Sequence, residues 1–365
     1  MMRGLLGSTA LVGCLCASSA LAITSAAYDT AVTNAGNRLV TIQNGSGFFT
    51  GDPYMGVSTA GLAEAYNYYG TPSFKTAAGK GGDYLRTKYT NTSNLSGEEA
   101  YGLTLVSGLQ ANPSSNLYRT AAAGYYSGVS GAPGGTNAEI TGLVNYYNTN
   151  GYSDSEAVID LAYHTMATAA IGATDRGIWR SRLIQELGEV DDNDFIPVGS
   201  LGAAVWALAL TGNGLDGTVI TGTSAELSGK TLSQLPAELE AQVIPSGSTS
   251  GAVYYDFAHA DPTGYTEDLA MALMGLQAAS DKGFSVNQAK LLSGRTRLAD
   301  AVEANGQTHF DVGQVYGPGN GYPNYSFQAG RLMEAVPEPG CGLIFAAGFG
   351  VMSLVRRRRA ASSQA

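Results

Sequence analysis

The sequence predicts a mainly α-helical body of repeated helical hairpins, closed into a ring or left as an open helical solenoid, with a short β-containing insertion. Two observations carry this. Apolar residues recur at helical spacing, as in Leu201, Val205 and Leu208, in Leu269, Leu273 and Leu276, and less cleanly in Leu103, Val106 and Leu109. Units of helix, polar turn and helix also recur, with starts near residues 61, 100, 158, 198 and 265. Each hairpin has one apolar face that only a neighbour can cover, which is the logic of helical repeats. Composition agrees, since 44% hydrophobic and 14% charged residues exclude disorder and the 49 glycines follow no Gly-X-Y period.

In chain order, residues 1–22 read as a secretory signal peptide. Arg3 supplies a basic start, Leu5 to Leu15 an apolar core, and Ala20-Leu21-Ala22 a small-residue cleavage site ending at Ala22. Leu11-Val12-Gly13-Cys14 also resembles a bacterial lipobox, which would place a lipid on Cys14. Residues 23–56 are rich in Thr, Asn and Gly, with a strand-like piece at Arg38 to Gln43 and turns at Asn44-Gly45 and Gly51-Asp52-Pro53. The helical repeats fill 57–335. They are interrupted at 213–263 by a Gly/Ser/Thr-rich insertion with a helix at Leu235 to Gln242 and a strand-like Ala252 to Tyr255.

Charge and cysteine narrow the function classes. Leaving out Arg3, the four terminal arginines and Glu338, residues 23–336 hold 15 basic and 29 acidic residues, a balance of −14. So acidic a body is a poor match for nucleic acid. Cys14, Cys16 and Cys341 lie in the end segments, so the body offers neither a thiol nucleophile nor a Cys-based zinc site.

Residues 336–365 carry the most specific pattern. Val336-Pro337-Glu338-Pro339 precedes an apolar run from Gly340 to Val355, then Arg356, Arg357, Arg358 and Arg359. The prolines make a stiff, extended segment. The run is read as a membrane helix with its arginines on the cytoplasmic side and the body outside. This order resembles the PEP-CTERM sorting signal of Gram-negative bacteria. The resemblance implies export, processing by an exosortase-like enzyme, and association with the cell surface or an extracellular polysaccharide matrix. It implies nothing about the activity of the body.

If the hairpins close, the ring is an α/α toroid, an architecture similar to toroidal glycosidases, polysaccharide lyases and terpene cyclases. The terpene-cyclase signature is absent, because Asp191-Asp192-Asn193-Asp194 has neither the DxDD nor the DDxxD spacing.

The repeats align an acid near the start of a first helix: Glu64, Glu99, Asp160 and Asp268, with Glu267 beside the last. In a ring these carboxylates would share a rim, and two carboxylates flanking a glycosidic bond suffice for hydrolysis. Acids also favour helix starts for the dipole and the free N–H groups alone. Tyr255, His259 and Arg295 are the residue types a polysaccharide lyase uses for proton abstraction and uronate neutralisation. Asp191, Asp192 and Asp194 form the densest acidic cluster, suited to a calcium ion or to a solvated turn. His164 reads as a packed core residue and His309 as a turn residue. Two functions stay open at this level. One is an exported surface or matrix protein without catalysis, and the other is a lyase or hydrolase of extracellular polysaccharide.

Overall fold

The computed structural model describes residues 24–50, 54–92, 94–131, 135–247, 249–260, 265–310, 312 and 326–337, all within one compact unit bounded by Ile23 and Cys341. It is mainly helical and built of packed helical pairs. Six helices form an inner set: α2 (Met55–Tyr69), α4 (Gly97–Gly108), α7 (Asp154–Ile171), α9 (Pro197–Leu210), α11 (Thr266–Asp281) and α13 (Ser326–Glu334). Here α2 packs on α4, α4 on α7, α7 on α9, α9 on α11 and α11 on α13. The succession closes when α13 packs back on α2.

Outer helices cover the joints. The first, α1 (Ala26–Ile42), lies against α13 and α2, and α3 (Pro72–Thr92) against α2 and α4. Next, α5 (Leu117–Gly131) covers α4 and α7, and α8 (Arg176–Leu187) covers α7 and α9. The short α10 (Leu235–Ala241) covers α9 and α11, and α12 (Gln288–Ala299) packs on α11 and α1. An additional α6 (Gly135–Thr149) packs on α5, α7 and α8.

Long stretches of the inner helices are buried on every side, unbroken from Met55 to Ala65 in α2, Ala157 to Thr168 in α7 and Pro197 to Ala209 in α9. A helix enclosed all round is apolar all round, which explains why these segments show little one-sided patterning. Small residues let them approach closely. A Cβ on Gly61 of α2 would fall 2.3 Å from the Gly330 carbonyl of α13, and one on Gly202 of α9 would fall 2.5 Å from Met271 of α11.

Several expectations need correction. Arg38 to Gln43 is strand-like only at Gln43, which bridges to Phe49; Arg38 to Ile42 is the last turn of α1, a helix that Ser25 caps at its start and whose Tyr28, Ala31, Val32, Ala35 and Leu39 bury one face. The strand-like Ala252 to Tyr255 reduces to a single bridge between Val243 and Val253, and a second bridge joins Val219 to Thr231. The helix expected at Leu235 is present as α10, with Gln242 as its cap. The last helical pair joins the two ends of the chain, where Tyr28 of α1 donates to the Leu332 carbonyl of α13 at 2.6 Å.

The membrane expectation is also corrected. No helix among the described residues is long and apolar enough to cross a membrane. The longest, α3, carries Lys75, Lys80, Asp83, Arg86 and Lys88 along 21 residues. The transmembrane helix, and the membrane as a partner through it, are therefore withdrawn. Ala22, Glu338, Pro339, the run 340–355 and Arg356 to Arg359 lie outside the described residues.

Candidate functional site

The starts of the inner helices gather at one end. Ser155 of α7 donates to Asp194 before α9 at 3.3 Å, and Phe195 packs on Tyr265, the cap of α11, at 6.0 Å. Tyr54, the cap of α2, packs edge-on against Phe327 of α13 at 4.9 Å. The Gly97 amide of α4 donates to Asp160 of α7 at 2.6 Å.

Beneath this end lies an ionic cluster centred on Arg331 of α13, which is 2% exposed. Its Nε donates to Glu267 of α11 at 2.8 Å, one Nη to Glu98 of α4, and the other to Glu334 at 3.2 Å and to the Tyr163 hydroxyl of α7. Tyr163 also donates to Glu334 at 2.7 Å. The guanidinium lies 4.8 Å from the centre of the Tyr163 ring. Tyr101, Tyr163 and Trp206, from three successive inner helices, pack edge-on or tilted within 5.7 Å and fill the interior below.

One guanidinium faces three carboxylates here, and removing that much charge from water is costly unless protons stay bound. Burial pushes Glu98 up to about 8 and Glu334 up to about 7, in each case against the pull of Arg331. Burial opposes the charge on Arg331, but Glu98, Tyr163, Glu267 and Glu334 outweigh it and hold it fully charged. Glu98 and Glu267 keep 13% and 16% of their side chains exposed, whereas Glu334 keeps 1%. The first two are thus the carboxylates that meet solvent.

Aromatic residues surround them. Tyr54 is 51% exposed, Tyr152 before α7 is 44% and Phe195 before α9 is 41%. Burial, and then the field of Glu98, Glu267 and Glu156, raise the proton affinity of the Tyr54 hydroxyl. Tyr152 packs against Tyr146 and Tyr147 at 6.0 and 5.6 Å, and Tyr265 against Tyr255 at 5.6 Å. Aromatic side chains therefore stand at the starts of five of the six inner helices.

The residues singled out in the sequence are distributed as follows. Glu99 and Asp268 sit at the third position of α4 and α11 and accept from the backbone amides of Ser96 and Tyr265, at 3.1 and 3.0 Å. Glu99 also takes Lys88 at 2.6 Å. Glu64 accepts from the Tyr101 hydroxyl at 3.1 Å in the buried interior between α2 and α4. Asp160 holds the start of α4 and lies 3.7 Å from His164, whose proton affinity burial lowers. His164 is packed between Tyr125, Tyr126 and Trp179. His309 pairs with Glu303 at 3.0 Å.

Tyr255, His259 and Arg295 are not brought together. His259 is exposed, stacks on Tyr254 at 4.1 Å and has φ of 60°. The Tyr255 hydroxyl takes the Ile196 amide at 3.3 Å near the helix starts. Arg295 is 1% exposed and donates to Gln277 and to the Ala335 carbonyl, at the opposite end of α11 and α13. Asp191, Asp192 and Asp194 accept from the Asn193, Phe257 and Asp191 amides at 2.7, 2.7 and 3.0 Å, so one oxygen of each is engaged by the backbone. Among the described residues no group of three or more His, Cys, Asp or Glu side chains is placed to hold a metal ion.

Glu98, Tyr163, Arg331 and Glu334 were not singled out by the repeat. The signal available was the acidic dipeptide that opens both α4 and α11, Glu98-Glu99 and Glu267-Asp268. In each, the second acid caps its own helix and the first turns inward. No family model, curated protein or solved structure matches this chain.

Proposed function

We propose that the chain is an exported surface or matrix protein whose body, an α/α toroid, binds glycans at the end where its inner helices start. The observation that carries this is the pairing of solvent-facing aromatic rings at the starts of α2, α7 and α9 (Tyr54, Tyr152 and Phe195) with the carboxylates Glu98 and Glu267. Tyrosine faces stack on sugar rings while carboxylates and hydroxyls accept and donate hydrogen bonds to sugar hydroxyls. Export is supported by the signal peptide ending at Ala22 and by the Pro337-Glu338-Pro339 pattern, on which an exosortase-like enzyme would act.

Hydrolysis is the second reading, and one feature favours it. Glu98 and Glu267 sit on the same guanidinium, and burial keeps a proton on Glu98 at neutral pH. A protonated acid beside a second carboxylate is the arrangement that cleaves a glycosidic bond. Glu98 would give its proton to the leaving oxygen while Glu267 supports attack at the anomeric carbon.

The deciding experiment is calorimetric titration of the purified protein with oligosaccharides, alongside a reducing-end assay. Binding lost in Tyr54→Ala and Tyr152→Ala, with unchanged thermal unfolding, supports the site. Binding that survives both substitutions refutes it.

A further inference from the structure

We propose that Tyr126 and His164 form a redox site, in which Tyr126 passes an electron toward the surface while its phenolic proton moves to His164. The site lies among α5, α7 and α8 and does not depend on the glycan reading.

Tyr126 of α5 is 2% exposed, His164 of α7 is fully buried, and the hydroxyl lies 2.8 Å from the imidazole Nδ1. A neutral imidazole carries its proton on one nitrogen and accepts at the other. Nε2 lies 3.7 Å from Oδ2 of Asp160 and has no hydrogen-bond partner of its own. That carboxylate draws the proton to Nε2 and leaves Nδ1 to accept from the Tyr126 hydroxyl. Asp160 is itself fixed by the Gly97 amide at 2.6 Å. Burial lowers the proton affinity of His164, which keeps Nδ1 an acceptor, and burial also stops Tyr126 from ionising on its own.

This pairing suits one kind of step. A phenol that loses an electron becomes a strong acid and sheds its proton with it. Here the O–H bond of Tyr126 breaks and an N–H bond forms at Nδ1, giving a neutral phenoxyl radical and an imidazolium. The Asp160 carboxylate beside Nε2 stabilises that cation.

The electron has a path outward. Tyr125 packs on Tyr126 at 5.0 Å and Tyr89 of α3 packs on Tyr125 at 6.4 Å, and both outer rings are part-exposed. Gaps between aromatic rings of this size pass an electron by short hops. Trp179 of α8, 1% exposed, covers the inner side at 5.7 Å from Tyr126 and 4.5 Å from His164. The oxidant we assign is a peroxyl radical, which takes the electron at Tyr89 and a proton from water to become a hydroperoxide. A small soluble phenol then returns an electron to Tyr126 and releases its own proton to water, while the imidazolium gives the first proton back.

The test oxidises the full protein with photogenerated tris(bipyridine)ruthenium(III) and follows phenoxyl radicals by absorbance and electron paramagnetic resonance. A long-lived radical is expected, and Tyr126→Phe should abolish it although every other tyrosine remains. In His164→Phe it should form at least about 100-fold more slowly, the effect of a lost general base. Formation in the unsubstituted protein should also slow after exchange into D2O, a readout that a merely structural pair would not move. Peroxyl radicals released from a water-soluble azo initiator should give the same signal, and its absence with them overturns the assigned reaction. A long-lived radical that persists in Tyr126→Phe belongs to another tyrosine and overturns the site. Formation as fast in His164→Phe overturns the proton transfer. Should that variant fail to fold, a rate in the unsubstituted protein that D2O leaves unchanged overturns it equally.

Discussion

Arg331 and Glu98, 233 positions apart in the chain, are joined by a hydrogen bond from the guanidinium that links α13 to α4 among the inner helices. The same guanidinium reaches α11 through Glu267 and α7 through Tyr163, so one side chain ties four of the six inner helices together. Arg331→Met keeps the apolar stem but leaves Glu98, Glu267 and Glu334 without their cation. Breaking a buried pair in this way costs about 3–5 kcal/mol. Urea unfolding should show a loss of that size, and a loss under about 1 kcal/mol would mean that the cluster contributes little to holding the inner helices together.

Two carboxylates of the cluster, Glu98 and Glu334, make stability depend on pH in a defined direction. Glu98 and Glu334 bind protons more tightly in the folded protein than an ordinary glutamic acid at 4.5, up to about 8 and about 7. Between those limits the folded state holds more protons than the unfolded one, so stability falls as pH rises. Each group contributes a slope of up to about 1.4 kcal/mol per pH unit. Thermal unfolding should therefore occur at a higher temperature near pH 5 than near pH 9, and Glu98→Gln should flatten the curve. A melting temperature that rises steadily over this range would contradict the assignment.

How much of this was legible in the sequence depends on what each residue reports. Leu201, Val205 and Leu208 announce a helix because their spacing is local, and α9 is there. The pairing of α13 with α1 is invisible to a repeat search, since its halves stand at opposite ends of the chain and meet only in space. The α1 segment misled because its small and polar residues, such as Thr33, Asn34 and Asn37, mask the stripe formed by Val32, Ala35 and Leu39. In the site, sequence register located the helix starts but could not say which of two adjacent acids turns inward. Capping settles that, because the third position of a helix is the one that reaches back to the preceding amides. Glu99 and Asp268 are held there, which leaves Glu98 and Glu267 facing Arg331.

Close approach of the inner helices gives a test with its own control. Gly61→Ala would drive a Cβ to 2.3 Å from the Gly330 carbonyl, backbone that can move only if α2 and α13 separate. The expected loss is about 1–3 kcal/mol or more, as for other overpacked contacts. Gly79→Ala, on α3, meets nothing within 4 Å and should instead stabilise by about 0.4–1 kcal/mol through a less flexible unfolded chain. Equal effects from the two substitutions, measured by chemical unfolding, would refute the packing argument.

The boundary between body and tail shapes how the sorting signal should be tested. Val336 is 3% exposed and Pro337 is also buried, so the pattern begins inside the fold. The Ala335 carbonyl just before them is held by Arg295. Replacing all of Pro337-Glu338-Pro339 would confuse a folding defect with a sorting defect. Replacing Glu338 and Pro339 alone by alanine should leave thermal unfolding unchanged and abolish retention at the cell surface. Retention unaffected by that pair of changes would count against the sorting signal.

If the second reading of the site is right, Glu98 and Glu267 carry different halves of one reaction and their substitutions should fail differently. Glu98→Gln removes the proton donor, so turnover should fall at least about 100-fold for a glycoside with a poor leaving group. A leaving group that needs no proton, such as a nitrophenolate, should be largely spared. Glu267→Gln removes the carboxylate that supports attack, and both kinds of substrate should suffer. In the unsubstituted protein activity should decline as pH rises through about 8, where Glu98 gives up its proton. Parallel losses on both substrates in both variants, or a profile flat through that range, would leave the end where the inner helices start as a binding surface alone.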